Sequence, residues 1–181
     1  MNNTFNIQRF GLLLKRQWLE FGKIYLISLA VVLGIFLTFY GYNAYLFSFY
    51  GQLADHYENS YLFFREPLFI VLGLLFVTVI ASSYFAHLGQ KPKAIIDLMI
   101  PASTFEKFLT GVFFTSILTS ASFLLLFYLT DLAFVMNIKA KMPAEQYFFV
   151  KNNPNAFKPI YLIPFFVSSV FLLGSIYFST T

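Results

Sequence analysis

Four stretches of this chain, Ile24–Tyr42, Pro67–Phe85, Phe108–Leu129 and Ile160–Phe178, contain no Lys, Arg, Asp or Glu. Each runs 19 to 22 residues, close to the roughly 20 needed to carry an α-helix across a hydrocarbon core of about 30 Å. Of the 181 residues, 59% are hydrophobic and 11% charged, whereas soluble domains sit near about 45–50% and about 25%. One water-soluble core of this size has no room for the excess. The expected fold is all-α: a polytopic helical membrane protein whose four transmembrane helices follow an amphipathic interfacial helix, in one membrane domain spanning residues 1–181. The lipid bilayer is its first partner.

The first stretch is too long for a signal-peptide core, and 23 residues precede it; it reads as an uncleaved anchor. Basic residues near span ends set orientation. With the N-terminus inside, Arg9, Lys15, Arg16, Lys23, Lys91, Lys93 and Lys107 fall on the cytoplasmic side, and Arg65, Lys139, Lys141, Lys151 and Lys158 on the other, a ratio of seven to five. The expectation is a multi-pass protein of a bacterial inner membrane with a cytoplasmic N-terminus. The fourth stretch stops at Ser179-Thr180-Thr181 without a basic anchor. A helix ending at the cytoplasmic face usually carries one, so the chain is expected to be a C-terminally truncated piece.

Residues 5–23 have helical periodicity. Phe10, Leu13, Leu14, Trp18 and Phe21 share one face; Arg9, Arg16, Lys23, Lys15 and Glu20 share the other, with Leu12 and Leu19 among them. This predicts an interfacial helix, apolar face in the acyl boundary and basic face at anionic headgroups. Segment 43–66 is dense in Tyr and Phe, as in the aromatic belt of a membrane interface.

The loop between the second and third stretches is the most structured. Gly89 can close one helix and Pro92 open another, giving a short cytoplasmic helix over 93–99 that carries Ile95, Ile96, Leu98 and Met99. Pro101 ends it. Ser103-Thr104-Phe105-Glu106 has the S-x-x-E spacing of a capping box, so Ser103 and Glu106 are expected to start the third span. Within that span Gly111, Thr115, Thr119 and Ser122 lie on one face. Small residues of this kind let helices approach closely in lipid; a polar lining for a translocation path is the alternative. Asp131 follows the span and opens a polar loop to Pro159.

Chemistry is scarce. There is no cysteine, no G-x-x-x-x-G-K-[ST] and no H-E-x-x-H, so thiol chemistry, a P-loop nucleotide site and a zincin site are all absent. His56 lies beside Asp55 and Glu58, and it reads as a solvated loop residue before it reads as a metal ligand. No charge falls inside the four stretches, which argues against a proton relay or a catalytic site at membrane depth. No enzyme, cofactor, metal or nucleic-acid partner is expected.

The sequence Leu98–Phe114, LMIPASTFEKFLTGVFF, resembles the signature of the permease subunit of type-2 class ABC exporters, where a short cytoplasmic helix is followed by L-P-x-S-x-x-E and the third span. Ile100 stands where Leu is usual and Thr104 where a basic residue is common. The N-terminal amphipathic segment is similar too, and the wording resembles permease-like proteins of Bacteroidetes-type bacteria. The family usually has six spans. The resemblance implies a homodimer or heterodimer of permeases driven by a separate ATP-binding subunit, with Ile95, Ile96, Leu98 and Met99 seated in that partner. The competing readings are a stand-alone membrane scaffold and a lipid-directed membrane enzyme. The transported substrate is not encoded legibly.

Overall fold

The computed structural model describes residues 5–50, 64–88, 99, 101–138, 166, 167, 169 and 170. Three helical rods make up the described part: α1 (Ile7–Tyr50), α2 (Arg65–Leu88), and a third rod formed end to end by α3 (Thr104–Val112), a π-helical turn (Phe113–Leu118) and α4 (Thr119–Ile138). No strand occurs among the described residues. All three rods are long and apolar enough to cross a membrane. The fourth expected span, 160–178, lies outside the described residues except for helical Phe166, Val167, Ser169 and Val170. The short helix 93–99 lies outside them except for its last residue, Met99, and so do Gly89 and His56.

The rods run past the boundaries that charge alone suggests. Residues 7–23 are not a separate element but the first turns of the 44-residue α1, because no Pro or Gly pair interrupts the helix between Lys23 and Ile24. Asn43–Tyr50 also continues α1, and Asp131–Ile138 continues α4, although both were expected to lie outside the spans. α2 begins at Arg65 and not at Pro67. Pro67 still falls in the first turn, where its missing N–H has no helical partner to lose, and Glu66 beside it suits the positive helix end.

Aromatic layers fix the register. Phe21 packs on Tyr84 at 5.5 Å and Trp18 on Phe114 at 6.4 Å near one end. Tyr25 meets Phe76 one layer on, and Phe76 meets Phe123. In the middle, Phe69 and Phe127 come within 4.5 Å, with Phe36 touching both Phe123 and Phe127. At the far end Tyr40, Phe64 and Phe134 form a triangle of 5.1 to 5.9 Å. Numbers rise along α1 and the third rod and fall along α2, so the bundle is up-down-up. Phe64, expected in the interfacial belt, belongs to this core instead.

In lipid the hydrophobic effect does not drive helices together; packing and polar contacts must. Rings contribute about 0.5–1.5 kcal/mol per pair beyond area, which makes a phenylalanine-rich interior a sensible glue. Close approach is arranged at Gly73, where a Cβ would stand 3.0 Å from the Phe123 ring, and at Gly111, 3.3 Å from the Tyr84 ring. The outward surface is the reverse of a soluble protein's. Ile27, Val31, Leu37, Val71, Leu75, Val79, Ile117 and Leu125 are all exposed, as a lipid-facing surface requires.

Candidate functional site at the foot of the third rod

The start of the third rod is built around one carboxylate. Ser103 has extended backbone, φ −68° and ψ 151°, and its hydroxyl accepts the Glu106 N–H at 3.1 Å. Glu106 answers by accepting the Ser103 N–H through Oε2 at 3.0 Å. The box satisfies two of the backbone donors that a helix start leaves without partners.

The other oxygen, Oε1, reaches across to α1. It accepts the backbone N–H of Asn6 at 2.8 Å and an Arg9 Nη2 hydrogen at 3.3 Å. Asn6 in turn caps α1: its side-chain oxygen accepts the Gln8 N–H at 2.9 Å, and its carbonyl accepts from Phe10. One buried carboxylate therefore lies between two helix N-termini, each with a positive dipole end. A guanidinium supplies the remaining charge balance.

Chain lengths show how α1 arrives there. Asn6 lies 15 residues before Phe21, whereas Glu106 lies only 8 before Phe114. The difference of seven residues is about 10 Å of helix rise. Glu106 is joined to Asn6 and Arg9 across that difference. Phe5 and Phe105 meet edge-on at 6.4 Å.

The face of 5–23 assigned to the acyl boundary is turned toward the bundle. Phe10, Leu13 and Leu14 are half-buried and Phe21 is fully buried, whereas Leu12, Leu19, Lys15 and Lys23 point outward. Trp18 is 41% exposed and stacks on Phe114.

Of the other residues singled out from sequence, Met99 is helical and 79% exposed, two positions ahead of Pro101, the first residue described on the rod's approach to Ser103. Ile95, Ile96 and Leu98 lie outside the described residues. Gly111 faces Tyr84, Thr115 and Thr119 are fully buried, and half-buried Ser122 contacts the Tyr25 hydroxyl. The Thr115 hydroxyl donates to the Gly111 carbonyl at 2.8 Å, so these four residues sit along the interior of the bundle. No cluster of metal-ligating side chains occurs among the described residues.

A second polar centre was missed in the sequence. At the opposite end of the bundle Arg65 Nε donates to Asp131 Oδ1 at 2.8 Å, Arg65 Nη2 pairs with Oδ2, and the Tyr40 hydroxyl donates to Oδ1 at 3.0 Å. Both ionic partners are almost completely buried. Glu106 and Asp131 are 25 residues apart, about 37 Å along a helix. That distance exceeds the hydrocarbon core of about 30 Å and falls short of the full bilayer of about 40–45 Å. Two polar centres so spaced suit the two headgroup regions.

No family model matches the sequence, and no curated protein or solved structure matches it.

Proposed function

We propose that this chain is the membrane-spanning subunit of an ABC-type exporter, driven by a separate ATPase and paired with a second permease. It sits in a bacterial inner membrane with the Glu106 end inside. The observation that carries the reading is the bond from Glu106 to the Asn6 backbone. Any force applied to the segment just before Ser103 is delivered to the third rod and to α1 together, because one carboxylate joins their starts. A transport subunit without a nucleotide site of its own needs such a point of entry. The resemblance of Ile100–Glu106 to the exporter signature supports the same assignment.

In this reading 93–99 is a two-turn cytoplasmic helix whose Ile95, Ile96, Leu98 and Met99 seat in a groove of the ATPase. Residues 160–178 form a fourth span against the bundle, in keeping with Val167 packing on the core. The first turns of α1 lie near the inner headgroups. Their outward Lys15 and Lys23 then face anionic lipid, with Leu12 and Leu19 between them.

Purification of the detergent-solubilised protein from its native membrane tests the assignment. A nucleotide-binding subunit should accompany it, and Ile95→Asp with Ile96→Asp should abolish stimulated ATP hydrolysis while membrane insertion continues. Unchanged hydrolysis in the double variant removes the coupling role, and purification with no ATPase favours a stand-alone scaffold.

A further inference from the structure

The third rod is pinned at both ends by separate polar ties. Its foot is held by Glu106 to Asn6 and Arg9, and its far end by Asp131 to Arg65 and Tyr40. Between them the hydrogen-bond pattern changes at Phe113–Leu118 from α to π. A π turn accommodates one residue more than an α-helix of the same length, and such turns recur at functional sites.

This turn is held from outside its own helix. The Tyr25 hydroxyl on α1 donates to the Leu118 carbonyl at 3.2 Å and is in hydrogen-bond contact with the Ser122 hydroxyl. The surroundings also suit movement. Thr119 donates to the Phe114 carbonyl five residues back, whereas Thr115 and Ser120 donate to carbonyls four back. Hydroxyls that reach either acceptor keep backbone carbonyls satisfied when the pattern shifts, which water cannot do inside a bilayer. Thr115, Ser116 and Thr119 are buried yet small, so the large buried side chain that turning this section must move is Phe114, which stacks on Trp18 and Tyr84.

We propose that Phe113–Leu118 is a joint about which the foot, Ser103–Val112, turns relative to α4, and that the Tyr25 hydroxyl latches its resting position. This inference does not depend on the transport reading. Passing one residue through the joint rotates the foot by about 100° and shifts it by about 1.5 Å, which also requires Glu106 to leave Asn6 and Arg9. A side chain at a helix radius of about 5 Å then moves by about 8 Å.

The chain has no cysteine, so introduced pairs can be spin-labelled in the full-length protein in liposomes and their separation measured by pulsed electron resonance. Phe108→Cys with Val79→Cys reports on the foot, and Leu129→Cys with Val71→Cys on the far half; all four positions are exposed. Tyr25→Phe, or Ser122→Ala as the milder variant, should add a second distance displaced by several ångströms at the first pair and leave the second pair unchanged. Deleting Ile117 removes the extra residue. It should restore one distance in the Tyr25→Phe background and melt like the parent, whereas deleting Leu125 from the regular helix should lower the melting temperature sharply. A wild-type distance distribution at the foot in both Tyr25→Phe and Ser122→Ala overturns the latch. Equal broadening at both pairs, or equal destabilisation by the two deletions, overturns the joint.

Discussion

Arg65 and Asp131, 66 residues apart in sequence, meet inside the bundle with the guanidinium fork on the carboxylate and the Tyr40 hydroxyl on the same oxygen. Each lies just beyond an apolar stretch, Arg65 two residues before Pro67 and Asp131 two residues after Leu129. In the fold they close the end of the bundle opposite Glu106, joining the start of α2 to the last turns of α4, while Tyr40 adds α1.

A buried pair of this kind is costly to halve and cheap to replace. Removing one partner strands a charge, typically at about 3–5 kcal/mol, whereas replacing both by apolar residues of similar volume is often near neutral. Arg65→Met and Asp131→Leu should each lower the melting temperature of the purified protein in detergent. The double variant should recover most of the loss. A double variant as unstable as the sum of the singles would mean that the two side chains do not form one unit.

The foot should behave as a junction between helices. In Glu106→Gln the acceptor for at least one backbone N–H is weakened, so amide exchange at Asn6 and at Ser103 should accelerate together. Ser103→Ala removes the hydroxyl cap, at about 0.5–2 kcal/mol, and should speed exchange in the first turn of α3 with little effect at Asn6. Exchange that changes only at Ser103 in the Glu106 variant would show that α1 is held by other contacts.

Glycines at crossings and glycines facing lipid should separate cleanly. Gly73→Ala places a methyl 3.0 Å from Phe123, and overpacking of this sort costs about 1–3 kcal/mol. Gly34→Ala meets nothing within 4 Å and should be neutral or stabilising by up to about 1 kcal/mol through helix propensity. Thermal melts of the two variants, side by side, decide whether the packing of α2 on α4 is as described.

The rods were legible in the sequence because charge exclusion and length are local properties. The capping box was legible for the same reason: Ser103 and Glu106 are three residues apart and need nothing else to be recognised. What joined Glu106 to Asn6, or Asp131 to Arg65, was not. In the sequence Arg9 reads as a topological charge on the basic face of 5–23, Arg65 as a topological charge alone and Asp131 as the opening of a loop, since nothing local announces a partner on another rod. A signal was nonetheless present. Asp131 is followed by Leu-Ala-Phe-Val-Met, which is no start for a solvated loop. The apolar face of residues 5–23 was real too, but periodicity says only that a face is covered, and here the third rod covers part of it. The π turn has no composition of its own and stayed invisible.

The claim beneath all of this is that the three rods cross a bilayer, with Glu106 and Asp131 near its two faces. Single cysteines placed in the cysteine-free chain and challenged with a membrane-impermeant maleimide in sealed vesicles of known orientation test it directly. Glu66→Cys should react from one side only, Leu12→Cys only when the other side is opened, and Val31→Cys, Leu75→Cys and Leu125→Cys from neither. Ready labelling of the last three from water, or of Glu66→Cys and Leu12→Cys from the same side, would contradict the account.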